Sequence, residues 1–519
     1  MAEAASDTIS REALGRVAGL GDLYNAADDN FGVSIFQEHL PSDSPAITTT
    51  DNHHVDSKVE ITSSLNEKFS ALEVEADLKL SVLAGMIKVE GSAKYLNEKK
   101  SSYKSAECAL VYKTKTVVEQ LQLFDNEVKK RISLDALKHP EATHVVVKIY
   151  WGANCTVRVT DDNSEQNHKQ KAEGNLNAHV ERLKTLLNIS GEAGVKFTAD
   201  EKKTFDKFLW QIFGDILPDS SDKTPTTFEN AVETIRNVPH LIQKSNKGKG
   251  KPLAYVMFPL SSPFFDGLAG GSKFVHQTFR KLDEEQITQV IRLYDHILEF
   301  TQEARDQVEE MNKYSYCVTA AKLKEASSVV EALQDLDSKV RSDLKKALAT
   351  MRRSSNSDSR SLSDLYKHYI KADETFQKCD KNYNAKLPRI VFAKRCEKYG
   401  VKCLIPPVDE NIESVCDDHE NVYVLFYVQT DKETAKRYRD AIIELAEKES
   451  NTACCVVWAD ESEDIRIEQY KRRKLIHRDV VKELEAKDTP AAGGASPGSF
   501  ESLQSASVNL STVSFKCIS

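Results

Sequence analysis

The first half of the chain alternates β-type runs with two long segments of mixed polarity. The runs at 108–118 and 145–151 are rich in Val, Tyr and Thr, which are typical strand residues. Leu253–Phe258 has the same character, and a loop containing Pro263 follows it. We therefore predict a first domain over residues 1–262 that is built around β-strands.

Residues 263–386 have the periodicity of helices. A helix start resembling a capping box lies at Asp283, and apolar residues then recur at three- and four-residue spacing. They form two stripes: Ile287, Val290, Ile291, Tyr294, Ile297 and Leu298, then Ala326, Val330, Leu333, Val340, Leu344 and Met351. A third helix is predicted through Tyr366, Ile370 and Phe376. This zone is expected to be a bundle of three or more helices.

Residues 387–488 alternate between strand-like and helix-like segments. The predicted strands are Arg389–Phe392, Val422–Val428 and Cys454–Trp458, and the predicted helices are Lys432–Ser450 and Ile465–Lys487. This alternation is typical of a small α/β domain. Residues 489–519 are rich in Ala, Gly, Ser and Pro, and are predicted to form a flexible tail.

One segment fits two secondary structures. Apolar residues alternate with Glu73, Glu75, Asp77, Lys79 and Ser81 at six positions: Leu72, Val74, Ala76, Leu78, Leu80 and Val82. This apolar–polar alternation is typical of a strand in a membrane β-barrel, which needs about 9–11 residues to cross a bilayer. Glu, Leu, Ala and Lys are also good helix formers. The segment is therefore predicted to be helical in one state and a strand in another.

A second segment shows a similar ambiguity. Leu176, Val180, Leu183 and Leu187 form a helical stripe, and a strand-like alternation follows at Ile189, Gly191, Ala193, Val195 and Phe197. Half-buried strands of water-soluble proteins alternate in the same way. The alternative that either segment is ordinary core structure therefore stays open.

Composition and chemistry exclude several classes of protein. With 71 Lys and Arg against 80 Asp and Glu, the formal net charge is −9, which disfavours a dedicated nucleic-acid binder. None of the ten Cys residues forms a Cys-x-x-Cys motif, and no Cys/His group has zinc spacing. No nucleophile or metalloprotease motif is present. We expect no enzyme activity, no metal, no cofactor and no small-molecule substrate.

Several short blocks resemble the stonustoxin and verrucotoxin family of lytic toxins. They are LGR at 14–16, LGDLY at 20–24, EGSAKYLNEKK at 90–100, ATHVV at 142–146, YWGA at 150–153 and ISGE at 189–192. The resemblance implies an α+β multidomain fold. A bent sheet flanked by helical clusters, as in perforin (MACPF) and cholesterol-dependent cytolysins (CDC), spans 1–262. A focal-adhesion-targeting-like helical bundle spans 263–386, and a thioredoxin-like domain without Cys-x-x-Cys spans 387–488.

The same resemblance implies how the helical clusters act. In the superfamily two clusters unfurl into amphipathic hairpins, and here they are expected around 60–105 and 156–212. The candidate membrane-inserting residues are Leu72, Val74, Ala76, Leu78, Leu80, Val82, Leu176, Val180, Ile189, Val195 and Phe197. Gly152 is expected at the sheet bend, although a routine bulge explains it equally well. Gly85, Gly91, Gly191 and Gly194 are hinge candidates.

The resemblance does not include the family's C-terminal PRY-SPRY module. We expect a pore-forming, cytolytic protein that oligomerises on a lipid membrane, either with copies of itself or with a paralogous partner subunit. The alternative is a non-lytic intracellular interaction protein that keeps the fold. Because the N-terminus shows no signal-peptide pattern and no stretch is apolar enough for a membrane helix, we expect cytoplasmic synthesis and release by a non-classical route.

Overall fold

The structure, a computed structural model, describes the chain in two compact units, Met1–Leu387 and Pro388–Ser519. The described residues are 8–38, 40–41, 43–62, 64–99, 102, 105–162, 169–189, 197–217, 227–268, 279–353, 362, 369, 388–405, 408–428, 431–448, 452–459 and 463–488. Ile370, Phe376 and Tyr366, on the predicted third helix of the bundle, lie outside these residues, as does the tail at 489–519.

The first unit contains an eight-stranded sheet. Its strands are β1 (Ile9–Glu12), β2 (Asp22–Asn25), β3 (Asn30–Ser34), β4 (Ile47–Ile61), β5 (Ala106–Leu121), β6 (His144–Asp161), β7 (Leu209–Gly214) and β8 (Lys251–Pro259). The predicted runs at 108–118, 145–151 and 253–258 all fall on strands. All pairings are antiparallel, and the long β6 pairs with β5, β7, β8 and β2. β4 pairs with β5 and forms one edge of the described sheet.

Helices of the first unit lie between these strands and after them. They are α1 (Leu65–Ala71), α2 (Ala76–Leu83), α3 (Asn126–Arg131), α4 (Leu134–Leu137), α5 (Lys169–Ile189), α6 (Ala199–Phe205), α7 (Phe228–Lys244), α8 (Pro263–Leu268), α9 (Glu284–Lys313) and α10 (Ala320–Arg353). Short 3-10 helices span Gly91–Asn97, Asn246–Gly248 and Ser315–Cys317. The predicted N-cap Asp283 accepts hydrogen bonds from the Glu285 and Gln286 N–H groups at the start of α9.

The second unit is a five-stranded mixed sheet with helices. It contains α11 (Pro388–Lys398), β9 (Lys402–Leu404), α12 (Val408–Asp418), β10 (Asn421–Tyr427), α13 (Lys432–Lys448), β11 (Thr452–Trp458), β12 (Arg466–Lys471), β13 (Lys474–Ile476) and α14 (Val480–Asp488). The strand order is β13-β12-β10-β11-β9. β9, β10 and β11 run parallel, whereas β12 is antiparallel to β10 and to β13.

Two sequence predictions for the second unit were wrong. Arg389–Phe392 was predicted as a strand, but it lies in α11, where Pro388 is the first helical residue and Ile390, Ala393 and Cys396 are buried at three-residue spacing. Four apolar-rich residues are too few for periodicity to separate a strand from a helix.

The segment Ile465–Lys487 was predicted as one helix, but it contains the hairpin of β12 and β13 before α14. The hairpin turns at Arg472 and Arg473, which have positive φ angles of 48° and 65°. Two-residue hairpin turns need such angles, and turns of this type usually contain Gly or Asn. Because both turn residues are arginines, the sequence carries no turn signal here.

Candidate functional site

Two helical insertions leave the sheet at the same end of four neighbouring strands. The first insertion (residues 62–105) connects β4 to β5, and the second insertion (residues 162–208) connects β6 to β7. Ile61 pairs with Cys108, Ala106 pairs with Asp161, and Thr160 pairs with Leu209. The ends of all four strands therefore lie at one level, so both insertions could extend the same sheet.

In the first insertion the strand-like segment is split between two helices. Leu72 caps α1, residues 73–75 connect the helices, and α2 begins at Ala76. Leu72, Val74, Leu78, Leu80 and Val82 are buried, and Ala76, the first residue of α2, is half-buried. An alternation with period 2 wraps around a helix of 3.6 residues per turn, so it places apolar side chains on every side. For this reason α2 is buried on all sides, together with two polar residues of the pattern, Asp77 and Ser81.

Asp77 and Ser81 lie one helical turn apart and reach a buried ionic network. Arg352, at the end of α10, donates to the Asp29 carboxylate at 2.9 Å, to Ser81 Oγ at 2.8 Å and to the Asp77 carbonyl at 2.7 Å. The Ser81 hydroxyl also donates to Asp29. Arg11, on β1, lies 3.4 Å from Asp29 and 3.8 Å from the Asp77 carboxylate. The network therefore joins α2 to α10, to β1 and to the turn between β2 and β3.

Burial and charge act in opposite directions on the carboxylates of this network. Burial would raise the pKa of Asp29, but Arg352 and Arg11 outweigh that effect, and the pKa lies below its usual value. For Asp77 burial is the larger effect, and its pKa lies above its usual value despite Arg11 and Arg352. Asp29 is therefore held as a carboxylate between the two buried guanidinium groups. The Glu75 carboxylate also contacts Arg11.

A second buried network ties the first insertion to the sheet. Glu107 on β5 accepts from Lys68 at 3.0 Å, from Arg158 at 2.7 Å and from the Tyr95 hydroxyl at 3.1 Å. Lys68 lies on α1 and Tyr95 in the 3-10 helix at Gly91–Asn97. Lys68, Glu107 and Arg158 are all buried, so both ends of the first insertion are anchored by charge as well as by apolar packing.

Helices α9 and α10 cover the first insertion. Their buried residues share one apolar cluster with α1 and α2: Ile287, Val290, Ile291, Tyr294 and Ile297 from α9, and Val340, Leu344 and Leu348 from α10. Asp295 on α9 accepts hydrogen bonds from the Leu65 and Asn66 N–H groups at the start of α1. Burial raises the pKa of Asp295 to about 6.

The second insertion packs on a different cluster. Leu176, Val180 and Leu183 of α5 are buried against β5 and β6, with Cys108, Leu110, Val157 and Val159 in the same cluster. The Phe197 ring contacts Phe228 at a centroid distance of 4.7 Å and Phe205 at 6.1 Å. Ile189 is the last residue of α5, and its side chain lies outside the described part of the chain, as does all of Val195.

Gly152 lies where three strand pairings change register. The pairing of β4 with β5 shifts between Asp51 and His54, that of β5 with β6 between Lys115 and Val118, and that of β6 with β8 between Tyr150 and Trp151. A Cβ atom at Gly152 would lie 1.9 Å from the Thr114 carbonyl oxygen. Facing it, a Cβ atom at Gly250 would lie 2.3 Å from the Gly152 oxygen. Close main-chain approach therefore requires glycine at both positions.

The other hinge candidates divide into two groups. Gly85 follows α2 with a φ of 64°, and Gly91 starts the 3-10 helix with a φ of 59°. A Cβ atom at Gly91 would lie 2.6 Å from the Asp215 carboxylate, which accepts from the Ser92 and Asn154 N–H groups. Gly191 and Gly194 lie outside the described residues.

The described residues contain neither a helix long and apolar enough to span a membrane nor a cluster of His, Cys, Asp and Glu arranged to hold a metal ion.

Comparison with known families identifies the family of this chain. The model of the SNTX MACPF/CDC-like domain matches residues 8–268, which is half of the chain. The chain belongs to this family. The match includes β1 to β8 and both insertions, and it agrees with the resemblance stated from the sequence blocks. Members of the SNTX MACPF/CDC-like family are not enzymes, as the sequence predicted.

The relatives of this SNTX-family chain include cytolytic toxins. It is 32% identical over 262 residues to cytolytic toxin-beta of Scorpaena plumieri, which is 50% of this chain and 36% of that protein. It is 33% identical over 246 residues to verrucotoxin subunit beta of Synanceia verrucosa, which is 46% of this chain and 34% of that protein. The chain thus spans about a third of the length of these relatives.

A solved structure has the same fold. The stonustoxin structure matches with a TM-score of 0.57 and 17% identity, covering 91% of this chain and 70% of that chain. At this identity the likeness shows the fold. The fold is therefore α+β and MACPF/CDC-like, as the sequence predicted.

Sequence reasoning missed the buried charges that hold the first insertion. Arg11, Asp29 and Arg352 are far apart in the chain, and no pattern relates them. Asp77 alone gave a signal, because it is a carboxylate within an apolar segment. A charge in that position needs a partner when it is buried.

Proposed function

We propose that this chain forms pores: subunits assemble on a lipid membrane, and the two insertions convert into β-hairpins that enter it. The observation that carries the proposal is the common level at which β4, β5, β6 and β7 end. A barrel wall must be a continuous sheet without open edges in lipid. Hairpins that start at one level extend the existing sheet directly.

The insertions are long enough for this conversion. The first holds 44 residues (62–105) and the second 47 (162–208). A bilayer-spanning hairpin needs two strands of about 9–11 residues and a turn. Each insertion can therefore supply one hairpin and the segments that connect it to the sheet.

We further propose the roles that the sequence predicted for individual residues. Leu72, Val74, Ala76, Leu78, Leu80 and Val82 would face lipid in the first hairpin, and Leu176, Val180, Ile189, Val195 and Phe197 in the second. Gly152 would allow the sheet to change its bend, and Gly85, Gly91, Gly191 and Gly194 would ease the conversion from helix to strand.

The second unit is proposed to be a thioredoxin-like domain with a structural role. Its strand order and directions, together with the helices between its parallel strands, support this assignment. Cys454 and Cys455 are adjacent rather than separated by two residues, and burial raises the pKa of Cys455 to about 12. A thiol in that state is a poor nucleophile.

The assembly partner is proposed to be a further copy of this chain or a paralogous subunit. The chain is also 31% identical over 264 residues to stonustoxin subunit alpha of Synanceia horrida, and this similarity to both alpha and beta subunits supports the second possibility. Relatives that act as subunits make it necessary to test the chain alone and with a candidate paralogue.

The test is dye release from liposomes of mixed lipid composition, with electron microscopy of the same samples. We expect release and ring-shaped assemblies. A variant with Leu14→Cys and Glu90→Cys should bind without releasing dye until a reductant is added. The Glu90 N–H donates to the Leu14 carbonyl at 3.0 Å, so a disulfide there would hold the first insertion in place.

The single variant Leu14→Cys is the matched control and should release dye with or without reductant. Absence of release by the unmodified chain on every lipid mixture, alone and with a paralogue, would contradict pore formation. It would favour the alternative of a non-lytic interaction protein that keeps the fold.

A further inference from the structure

We infer that the register of β4 with β5 fixes the pairing inside the first hairpin and closes it on a two-residue turn at Ala84–Gly85. This inference rests on the proposed function, because it describes the inserted form. From His54–Lys115 to Ile61–Cys108 the strands pair residue for residue with no shift. The Thr62 N–H donates to the Glu107 carbonyl, one step further. The same register, continued through the insertion, ends at Ala84 and Gly85.

The continued register matches apolar residues with apolar or small ones. The pairs on one face of the hairpin are Val74 with Tyr95, Ala76 with Ala93, Leu78 with Gly91, Leu80 with Val89, and Val82 with Ile87. The second strand therefore alternates in the same sense as the first. Gly85 already has a φ of 64°, the type of angle that a tight hairpin turn needs.

On the polar face two pairs match charges of opposite sign, and two match a charge with a serine. Its pairs are Glu75 with Lys94, Asp77 with Ser92, Lys79 with Glu90, and Ser81 with Lys88. Opposite charges directly across an antiparallel pair stabilise a sheet, and like charges destabilise it. In the helical form two of these groups have other partners: Glu75 contacts Arg11, and Glu90 contacts Lys88.

Neighbouring registers fit worse. A slip of two residues in one direction places Lys79 opposite Lys88 and Asp77 opposite Glu90, which are two like-charge pairs. A slip in the other direction leaves one opposite-charge pair, Asp77 with Lys94, instead of two, because Lys79 then lies opposite Ser92. A slip of one residue would turn the apolar side chains to the opposite face. The register of the folded sheet is thus the one that the charges favour.

The two hairpins agree on which face meets lipid. Glu60, Ala109, Arg158 and Gln211 are directly paired neighbours in one row across β4, β5, β6 and β7, so their side chains share a face. In a continued strand every second residue from Glu60 lies on this same face, and these residues include the even-numbered apolar set at 72–82.

Steps of two from the other members of that row also reach apolar sets. From Ala109 they reach Tyr95, Val89 and Ile87. From Arg158 they reach Leu176 and Val180, and from Gln211 they reach Phe197 and Ile189. These apolar sets of the four strands therefore lie on one face, as a barrel requires of its lipid-facing residues.

Cross-linking of membrane-bound protein tests the register. A variant with Lys79→Cys and Glu90→Cys should form an intramolecular disulfide after addition to liposomes, because residues directly opposite have Cβ atoms about 4.5–5.5 Å apart. The matched control, Lys79→Cys with Ser92→Cys, places the second thiol on the same face but one step off register, about 7–8 Å away. Peptide mapping by mass spectrometry, with and without liposomes, measures both disulfides against the native Cys background.

The expected result is a disulfide between positions 79 and 90 that depends on liposomes and exceeds the 79–92 disulfide at least several-fold. If the unmodified chain releases dye but the 79–92 disulfide dominates, or neither forms, the register is wrong while pore formation stands. If the unmodified chain releases no dye, both proposals fail.

Charge reversal gives an independent measurement. Lys79→Glu places two carboxylates opposite each other, and we expect the rate of dye release to fall about 2- to 5-fold. Adding Glu90→Lys should restore it, whereas adding Lys94→Glu should not. Rescue that is equal with either second change would contradict the pairing of position 79 with position 90.

Discussion

At the scale of single residues, the folded form and the proposed hairpin differ most in the surroundings of the polar residues of the alternating segment. In the helical form Asp77 and Ser81 are buried and meet Arg352, Arg11 and Asp29. In a hairpin they would face the water-filled lumen. In the folded form the network therefore stabilises buried polar groups that the proposed hairpin would expose to water.

Removing Arg352 should destabilise the folded form strongly. With Arg352→Met, Asp29 stays buried and keeps only Arg11 as a charged partner. Loss of one member of a buried ion pair costs about 3–5 kcal/mol, and we expect the free energy of unfolding in urea to fall by that amount. The neighbouring Arg353, paired with the partly exposed Asp28, is the matched control. Arg353→Met should cost about 1 kcal/mol or less, and equal losses for both variants would contradict a special role for the network.

A charge introduced at Ala76 can test insertion without disrupting the fold. Leu78 and Val82 are buried, so a charge there would disrupt the fold and obscure any effect on insertion. Ala76 is half-buried beside two carboxylates, Glu75 and Asp77, and should accept lysine in the folded form. In lipid the same lysine costs about 2–4 kcal/mol at mid-depth.

We therefore expect Ala76→Lys to bind liposomes with normal folded stability and to release little dye. Ala76→Val, which changes size without charge, should release dye normally. Dye release per bound protein measures both variants. Unimpaired release by Ala76→Lys would show that position 76 does not face lipid.

At the scale of elements, long periodic segments could be predicted from the sequence and short ones could not. The stripes of α9 and α10 were correctly predicted to be helical because each repeats over many turns. Two short segments were predicted wrongly. Arg389–Phe392 is too short to show a helical period, and the turn before β13 contains two arginines in place of Gly or Asn. That α9 and α10 cover the first insertion could not be predicted, since such contacts join residues more than 200 positions apart.

The contact between α9 and α1 should depend on pH. Burial raises the pKa of Asp295 to about 6, and Glu67 and Glu299 add to the shift. Once α1 separates, this pKa returns towards its ordinary value of 3.8. The docked form therefore binds the proton more tightly, so docking strengthens by about 1 kcal/mol as the pH falls from about 7 to 5.

Hydrogen exchange of α1 amides, corrected for intrinsic rates, measures this effect. We expect slower opening at about pH 5 than at about pH 7. Asp295→Asn should flatten the dependence, whereas Asp335→Asn, at an exposed position on α10, should leave it unchanged. Burial raises the pKa of Glu12, Asp77 and Asp215 as well, whereas Lys68 on α1 and Arg158 hold the pKa of Glu107 below its usual value, so the slope left in Asp295→Asn measures the sum of these groups. Faster opening at low pH would contradict the assignment.

At the scale of the whole first unit, the two insertions are held differently. The first is covered by α9 and α10 and anchored by two buried charge networks, whereas the second packs its apolar face directly on β4, β5 and β6. The family, the absence of enzyme chemistry and the positions of both insertions followed from sequence blocks and periodicity. The long-range charges that anchor the first insertion could not be predicted, because only the folded structure brings those residues together.

The common level of the four strand ends also constrains how the chain can change in length. A helix absorbs one added residue by rotating the residues beyond it, but a strand that continues an existing ladder turns its remaining side chains to the other face. Natural variants of this protein should therefore gain or lose residues within 62–83 and 86–105 in even numbers, or in compensating pairs. Single-residue changes should concentrate at the turn near Ala84 and Gly85, where the ladder ends. A survey of length differences among natural variants would show whether insertions and deletions in these two ranges have even lengths.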